Sequence, residues 1–275
     1  MVDRSDPAPP PAVGRHSREV DDAESSRAQR AWWDAEAADY YAEHGAFLGD
    51  DQLVWGPEGW TEDELQLLGP LADQDVLEFG AGAAQGARWV SGQGARVVAT
   101  DISLGMLEVG RRIDQSAGRA LAMAQADAGR LPFGDGSFDL AFSAYGAVPF
   151  IADTRALMRE LARVLRPGGR LVFSTTHPIR WVFPDVPDAG GLVAQYGYFD
   201  TSPYVEQTEG VVTYVEHHRT IGARIRELVA AGLVVTDVVE PQWPERNDQE
   251  WGGWSPLRGK VIPGTAIYVA TKPAR

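Results

Sequence analysis

Apolar residues recur along this chain in two rhythms. Short runs rich in β-branched and apolar residues predict strands at Asp75–Phe79, Arg96–Thr100, Leu121–Ala126, Phe138–Ser143 and Arg170–Thr175. Two more, Leu233–Val239 and Thr265–Ala270, lie near the C-terminus. Between them the spacing widens to that of helices. Met106, Val109 and Ile113 share one helical face behind a capping Ser103. Leu157, Leu161, Val164 and Leu165 share another behind Asp153, and Pro167-Gly168-Gly169 stops it. Further helical segments run through Trp89 and Val90 and over Thr220–Ala231. Strands alternating with helices predict an α/β fold, a doubly wound, mostly parallel sheet of seven strands.

The flanks divide by composition. Residues 1–26 are rich in Pro, Asp, Ser and Arg without periodicity and read as a disordered tail. Trp33, Ala37, Tyr40 and Tyr41 fall at helical spacing within Ala28–His44, and Gly45 ends that helix. A short helix over Glu62–Leu68 stops before Gly69-Pro70, so 27–70 forms an N-terminal helical cap ahead of a core at 71–176. An insert rich in Pro, Tyr and Gly follows strand five at 177–218, on the substrate side. Within it, Leu192–Phe199 and Val211–Glu216 are expected to pair as a hairpin, and 219–275 completes the sheet. The loop 240–264 holds Trp243, Trp251 and Trp254.

Charge and composition narrow the function. With 25 basic and 39 acidic residues among 275, the net charge of −14 opposes a nucleic-acid partner, which needs Lys and Arg against phosphates. The chain has no cysteine, which removes disulfides, thiolate nucleophiles and Cys-ligated metals together. No apolar run reaches the roughly 18–20 residues of a membrane span, and the start MVDRSDPAPPPAVG lacks the features of a signal peptide. A cytoplasmic protein with a small ligand is expected, with no membrane partner; oligomeric state is not encoded in any visible pattern.

The candidate chemistry begins where the first strand runs into VLEFGAGAAQG (76–86). Glycines there let the backbone turn tightly and approach a ligand, and the next helix offers free N–H groups. Asp101 ends the second strand about 20 residues later, where nucleotide-binding folds place a carboxylate for ribose hydroxyls. The same features also suit a tight structural turn with a helix-capping Asp. A dinucleotide fingerprint G-x-G-x-x-G fails, because Gln85 stands at the third glycine and Gly86 is one late. Glu78 lies two residues before Gly80, an acid that a pyrophosphate has no use for and a cationic ligand does. The loop suits a nucleoside without phosphates better than NAD.

These residues resemble the class I S-adenosylmethionine-dependent methyltransferases, whose first motif reads E/D-x-G-x-G-x-G. VVATDIS (97–103), AQADAGRLPFGDGSFDLAFS (124–143), AYGAVPF (144–150) and VLRPGGRLVFST (164–175) are similar to the family's later segments in order and spacing, over roughly 60–270. The small-molecule branch, with the ubiquinone/menaquinone C-methyltransferases and the biotin-pathway carboxyl O-methyltransferases, is the nearest in type. THPIRW (176–181), YVEHHRT (214–220) and WSPLRG (254–259) resemble an actinobacterial group of unassigned substrate. One departure is Ala84 at the motif's third glycine, where alanine calls for a negative φ.

The resemblance implies a Rossmann-like fold with an N-terminal helical lid, and S-adenosylmethionine as cofactor. It implies that Gly80, Ala81 and Gly82 contact the cofactor through backbone, with Glu78 holding the loop or the methionine amino group. Asp101 would take the ribose hydroxyls, Ile102 would lie against the adenine and Asp127 would accept from its amino group, with Met106 and Ala128 also among the cofactor-binding residues. Ser143 and Tyr145 end the fourth strand, where open sheets place ligands, and Tyr40 lies on the lid. His177 follows strand five and is the leading general base, with Tyr145 a wall or participant. His217 and His218 begin a helix and are candidates to enter the pocket. No histidine has a metal-ligand spacing.

The expected reaction is methyl transfer to a small, aromatic or apolar acceptor, at O, N or C. An NAD-dependent oxidoreductase is disfavoured by the absence of a Tyr-x-x-x-Lys pair. A non-catalytic module that only binds S-adenosylmethionine remains open. A nucleic-acid methyltransferase is opposed by the charge and by SAYG after strand four, which is no Asn/Asp-Pro-Pro-aromatic motif.

Overall fold

The computed structural model describes residues 18–274. Nine strands form: β1 (Asp75–Phe79), β2 (Arg96–Asp101), β3 (Ala122–Gln125), β4 (Phe138–Ser143), β5 (Leu165–Thr176), β6 (Tyr204–Thr208), β7 (Val211–Glu216), β8 (Val234–Val239) and β9 (Thr265–Thr271). Seven of them make one sheet in the order β3-β2-β1-β4-β5-β9-β8. β1 to β5 run parallel, and β9 is antiparallel to both of its neighbours. The order reverses beside β1, so the crevice at the ends of β1 and β4 is the switch point where such sheets bind ligands.

Successive strand residues point to opposite faces, and both faces are covered. Leu77, Ala141, Leu171, Phe173 and Tyr268 pack under α5 (Thr154–Val164) and α6 (Ile221–Ala230). Val76, Leu140, Phe142, Val172 and Ile267 pack on the other face with Trp55, Ala87 and Val90 of α3 (Gln85–Gly92). The capping residues act as their sequence suggests. Ser103 accepts from the Met106 N–H at the start of α4 (Leu104–Ser116), Asp153 from Ala156 and Thr220 from Ala223.

Several expectations shift. The first helix, α1, spans Asp22–Leu48 with Asp21 as its N-cap, so 22–26 are helical and not tail. Pro, Asp and Ser belong at a helix start, which is why composition alone misplaced the boundary. The rest of that tail, 1–17, lies outside the described residues. α2 is a single turn, Glu62–Leu65, closed by Gln66 in the left-handed region.

The hairpin uses Tyr204–Thr208 against Val211–Glu216, not Leu192–Phe199. Glu209 and Gly210 sit between the strands at φ 53° and 81°, the pairing of left-handed residues that closes a two-residue hairpin turn. Residues 189–192 instead form one 3-10 turn. α1 lies across this hairpin and across α4, burying Ala28 against Val205, Val212 and Val215, and Ala37 against Met106 and Val109.

One buried ion pair ties the helices of this layer. Arg88 on α3 donates through Nε to Asp114 on α4 at 2.6 Å and through its terminal nitrogens to the carbonyls of Asp50 and Gly110. Both side chains are buried. Arg88→Met should therefore strand Asp114 without its cation and lower folding stability by about 3–5 kcal/mol, measured by urea unfolding. A change within experimental error would show that water reaches the pair.

Candidate active site

β1 ends in Glu78-Phe79 and turns through Gly80, Gly82 and Ala84 at φ 61°, 55° and 62° before α3 begins. Ala84 thus keeps the left-handed conformation of the glycine it replaces, against the negative φ expected of it. It is fully buried and its N–H bonds to the Ala81 carbonyl at 2.8 Å, so the turn's own geometry holds it there. Gly80 admits no side chain, since a Cβ would lie 2.5 Å from the Ala147 nitrogen. The Gly82 N–H donates to Asp101 at 2.8 Å, and the other oxygen of Asp101 accepts from Ser103 N–H.

Above this turn opens a cavity of about 610 Å³, within the range of sites for small organic ligands. Glu78, Gly80, Ala81, Gly82, Asp101, Ile102, Met106, Asp127 and Ala128 all line it, as do Tyr145 and Tyr40. Burial pushes the Glu78 carboxyl up to about 8, with Arg88 opposing and Asp101 adding, while its Oε2 accepts from the Ala87 N–H at 2.7 Å. Burial likewise raises Asp101, against the hydrogen bonds from Ser103 and Gly82.

α1 closes the cavity from above. Asp34 accepts from Ser103 Oγ at 2.7 Å and from the Gly105 N–H at 2.9 Å, so it caps α4 from outside. Ser26 donates to Asp127 at 3.1 Å, and the other Asp127 oxygen accepts from Gly129 N–H. Trp33 meets Tyr40 edge-on, and His44 stacks on Trp251 of the late loop at 4.3 Å. The aromatic residues of the insert and late loop divide. Trp251 and Trp254 line the cavity, whereas Trp243 sits in a minor core with Ile262, and Trp181, Tyr196 and Tyr204 are not among its walls.

Two expected site residues stand elsewhere. Ser143 is fully buried beneath the turn after β4 and does not line the cavity. His177 faces away from it: Nδ1 accepts from Ile179 N–H at 3.0 Å, and Nε2 bonds Glu240 at 2.7 Å. With Nδ1 an acceptor, Nε2 carries the proton toward Glu240, so no ring lone pair is left to serve as a base. Proline at 178 sets this cap by starting a 3-10 helix, Pro178–Val182. His217 and His218 also stay out of the cavity; their Nε2 atoms bond Ser25 Oγ at 3.1 Å and the Tyr198 carbonyl at 2.7 Å.

The same 3-10 turn that withdraws His177 brings Arg180 to the cavity wall, beside Asp185 and Glu216. Arg180 and Glu216 fall within the segments THPIRW and YVEHHRT, but nothing in their spacing marks them as site residues. Tyr145, at φ 59°, is pinned by its N–H to Ser174 Oγ at 2.8 Å, and its hydroxyl accepts from Thr176. Burial raises its phenol above the ordinary value. Carboxylates outnumber cations eight to one along the cavity walls, the cation being Arg180. This donor set fits a nucleoside with a positive sulfur and not one with a pyrophosphate.

Comparison with known proteins agrees. A family model described as a methyltransferase domain matches residues 77–173. The demethylmenaquinone methyltransferase of Corynebacterium kroppenstedtii is 31% identical over 225 residues, covering 78% of this chain and 83% of the relative. That of Mycolicibacterium gilvum is 34% identical over 224 residues, covering 78% and 82%. A solved S-adenosylmethionine-dependent methyltransferase from Mesorhizobium loti superposes with a TM-score of 0.62 at 26% identity, over 75% of this chain and 94% of that one. The chain belongs to the class I S-adenosylmethionine-dependent methyltransferases. It is an enzyme, and S-adenosylmethionine is its methyl donor. Among the described residues no helix is long and apolar enough to cross a membrane.

Two outcomes follow from this geometry. His177→Gln should leave the affinity for S-adenosylmethionine unchanged in calorimetry while lowering the thermal midpoint; lost affinity would return His177 to the site. For Glu78, the folded protein holds a proton up to about pH 8 that the unfolded chain releases near 4.5, so stability falls as pH rises between the two. Glu78→Gln should flatten that part of the stability curve in urea unfolding, and an unaltered slope would mean Glu78 is ionised in the fold.

Proposed function

We propose that this enzyme transfers the methyl group to a small, aromatic and largely apolar acceptor of the quinol type. The observation that carries this reading is the continuity of one cavity from the glycine turn into a chamber walled by Trp33, Tyr40, Trp251 and Trp254. The names of the relatives, demethylmenaquinone methyltransferases, support it. Bound S-adenosylmethionine supplies an electrophilic methyl group on a positive sulfur, so the protein's part is mainly to position the acceptor in line with it.

In this reading Asp101 holds the ribose hydroxyls, Ile102 and Met106 flank the adenine, and Asp127 with Ala128 meets its amino edge. Gly80, Ala81 and Gly82 present backbone, and Glu78 stiffens the turn. Tyr40 rides on α1, which with the rest of 27–70 serves as a lid; 71–176 and 219–275 form the cofactor core, and 177–218 shapes the acceptor side. Nucleic acid is an unsuitable acceptor, because a cavity walled by carboxylates repels phosphates. We place the enzyme in the cytoplasm, where its methyl donor is made.

Asp101→Ala should weaken S-adenosylmethionine binding by roughly 10–100-fold in calorimetry, the range for lost hydrogen bonds to a charged group. Wild type should bind S-adenosylmethionine and not NADH, and should pass a labelled methyl group to reduced 1,4-naphthalenediol. Labelling of polar acceptors alone would overturn the aromatic-acceptor reading.

A further inference from the structure

With His177 withdrawn, the proton of a hydroxyl acceptor needs another destination. The acceptor end of the cavity contains a compact polar group that the reading above leaves without a role. Glu216 ends β7 and lines the cavity. Its Oε1 accepts from Tyr214 Oη at 2.6 Å, which fixes the carboxylate, and its Oε2 lies 3.7 Å from Arg180 Nη1. That separation is too long for a direct hydrogen bond, so each group keeps capacity for a ligand atom. Arg180 is held by Asp185 at 2.6 Å, which lines the cavity beside it. Tyr145 connects this pair to the cofactor end, since it lines the cavity together with both and is followed by Gly146 and Ala147, which pack directly on Gly80.

We propose that Glu216 is the general base of the reaction and that Arg180 stabilises the oxyanion it creates, the acceptor being a phenolic hydroxyl. A hydroxyl seated between them donates to Glu216 Oε2 and accepts from Arg180 Nη1. The proton passes to the carboxylate as an electron pair of the phenolate forms a bond to the methyl carbon. The carbon–sulfur bond breaks with its pair remaining on sulfur, which becomes a neutral thioether, and Glu216 later returns its proton to water. Attack through oxygen ends there; attack through an ortho carbon gives a ketone, whose ring proton is then lost to water as the oxygen takes back the proton held by Glu216. An arginine cannot give up its own proton, so within this pair the base is the carboxylate. An aromatic amine acceptor would instead develop positive charge on nitrogen beside the guanidinium as the methyl group arrives.

The assignment rests on the methyl-transfer reading and is tested with two probes of equal ring size. 1-Naphthol keeps its hydroxyl proton at neutral pH, whereas 4-nitro-1-naphthol ionises without help. Glu216→Gln should slow methyl transfer to 1-naphthol by roughly 10²–10⁴-fold, the usual contribution of a general base, and leave the nitro compound nearly unaffected. Affinity for S-adenosylmethionine, read by calorimetry, should not change, which excludes misfolding. Arg180→Gln should slow both probes, because both pass through an oxyanion. Equal losses on the two probes in Glu216→Gln would reduce Glu216 to a structural residue and overturn the proposal. Methylation of 1-naphthylamine but of neither naphthol would also overturn it, while leaving an aromatic acceptor standing. Labelling of none of the three would overturn the aromatic-acceptor reading, and this assignment with it.

Discussion

Two backbones meet where β1 and β4 end, and the site depends on that contact. A Cβ on Gly146 would lie 2.3 Å from the Gly80 carbonyl oxygen, and one on Gly80 would lie 2.5 Å from the Ala147 nitrogen. Only glycine allows this approach, because side chains would force the strand ends apart. With the two turns in contact, the loop after β1 takes its left-handed path and presents Ala81 and Gly82 to the cavity. The loop after β4 carries Tyr145 out of the sheet at the same point. The walls that Gly80 and Tyr145 contribute to the cavity are joined at this seam.

The second half of the site is contributed from outside the sheet. α1 has almost no amphipathic character of its own, yet polar groups hold it along its length, Gln29 donating to the Val215 carbonyl among them. Asp34 caps α4, Ser26 reaches Asp127, and Ser25 meets both the Phe150 carbonyl and His217. These bonds are directional, so they fix where Trp33, Tyr40 and His44 stand over the cavity, and His44 in turn stacks on Trp251. The hydrophobic contacts beneath, Ala37 on Met106 and Ala28 on Val205, supply burial without selecting a register. Polar caps supply the register.

Charge completes the design. A wall of carboxylates suits a cationic methyl donor; burial near the turn pushes Glu78 up to about 8 and also raises Asp101, against its hydrogen bonds from Ser103 and Gly82. Arg180 interrupts that wall at the acceptor end. The 3-10 turn after Pro178 decides its place: within four residues the chain points His177 toward Glu240 and Arg180 toward the cavity.

Much of the glycine-turn end of the cavity was legible from the chain alone. The strand and helix rhythms, the caps Ser103, Asp153 and Thr220, the glycine turn and Asp101 are all local features, and local chemistry determines them: φ restrictions, capping and alternation act within a few residues. Two calls missed the cavity: His177, expected as the general base, and Ser143, expected at the cofactor, are both buried outside its walls. Which way a side chain points after a strand end depends on a turn's exact torsions, and those depend on distant partners such as Glu240 and Gly264. The hairpin shows the same division, since Glu209-Gly210 names the turn locally but only α1 explains why the hairpin packs where it does. Sequence by itself determined the succession of strands and helices and the glycine turn, because these rest on short-range rules, and the donor followed from the resemblance that those motifs carry. Tertiary structure alone decided which polar groups meet at the cavity wall, because it brings together Tyr145, Arg180 and Glu216, residues that no spacing rule relates.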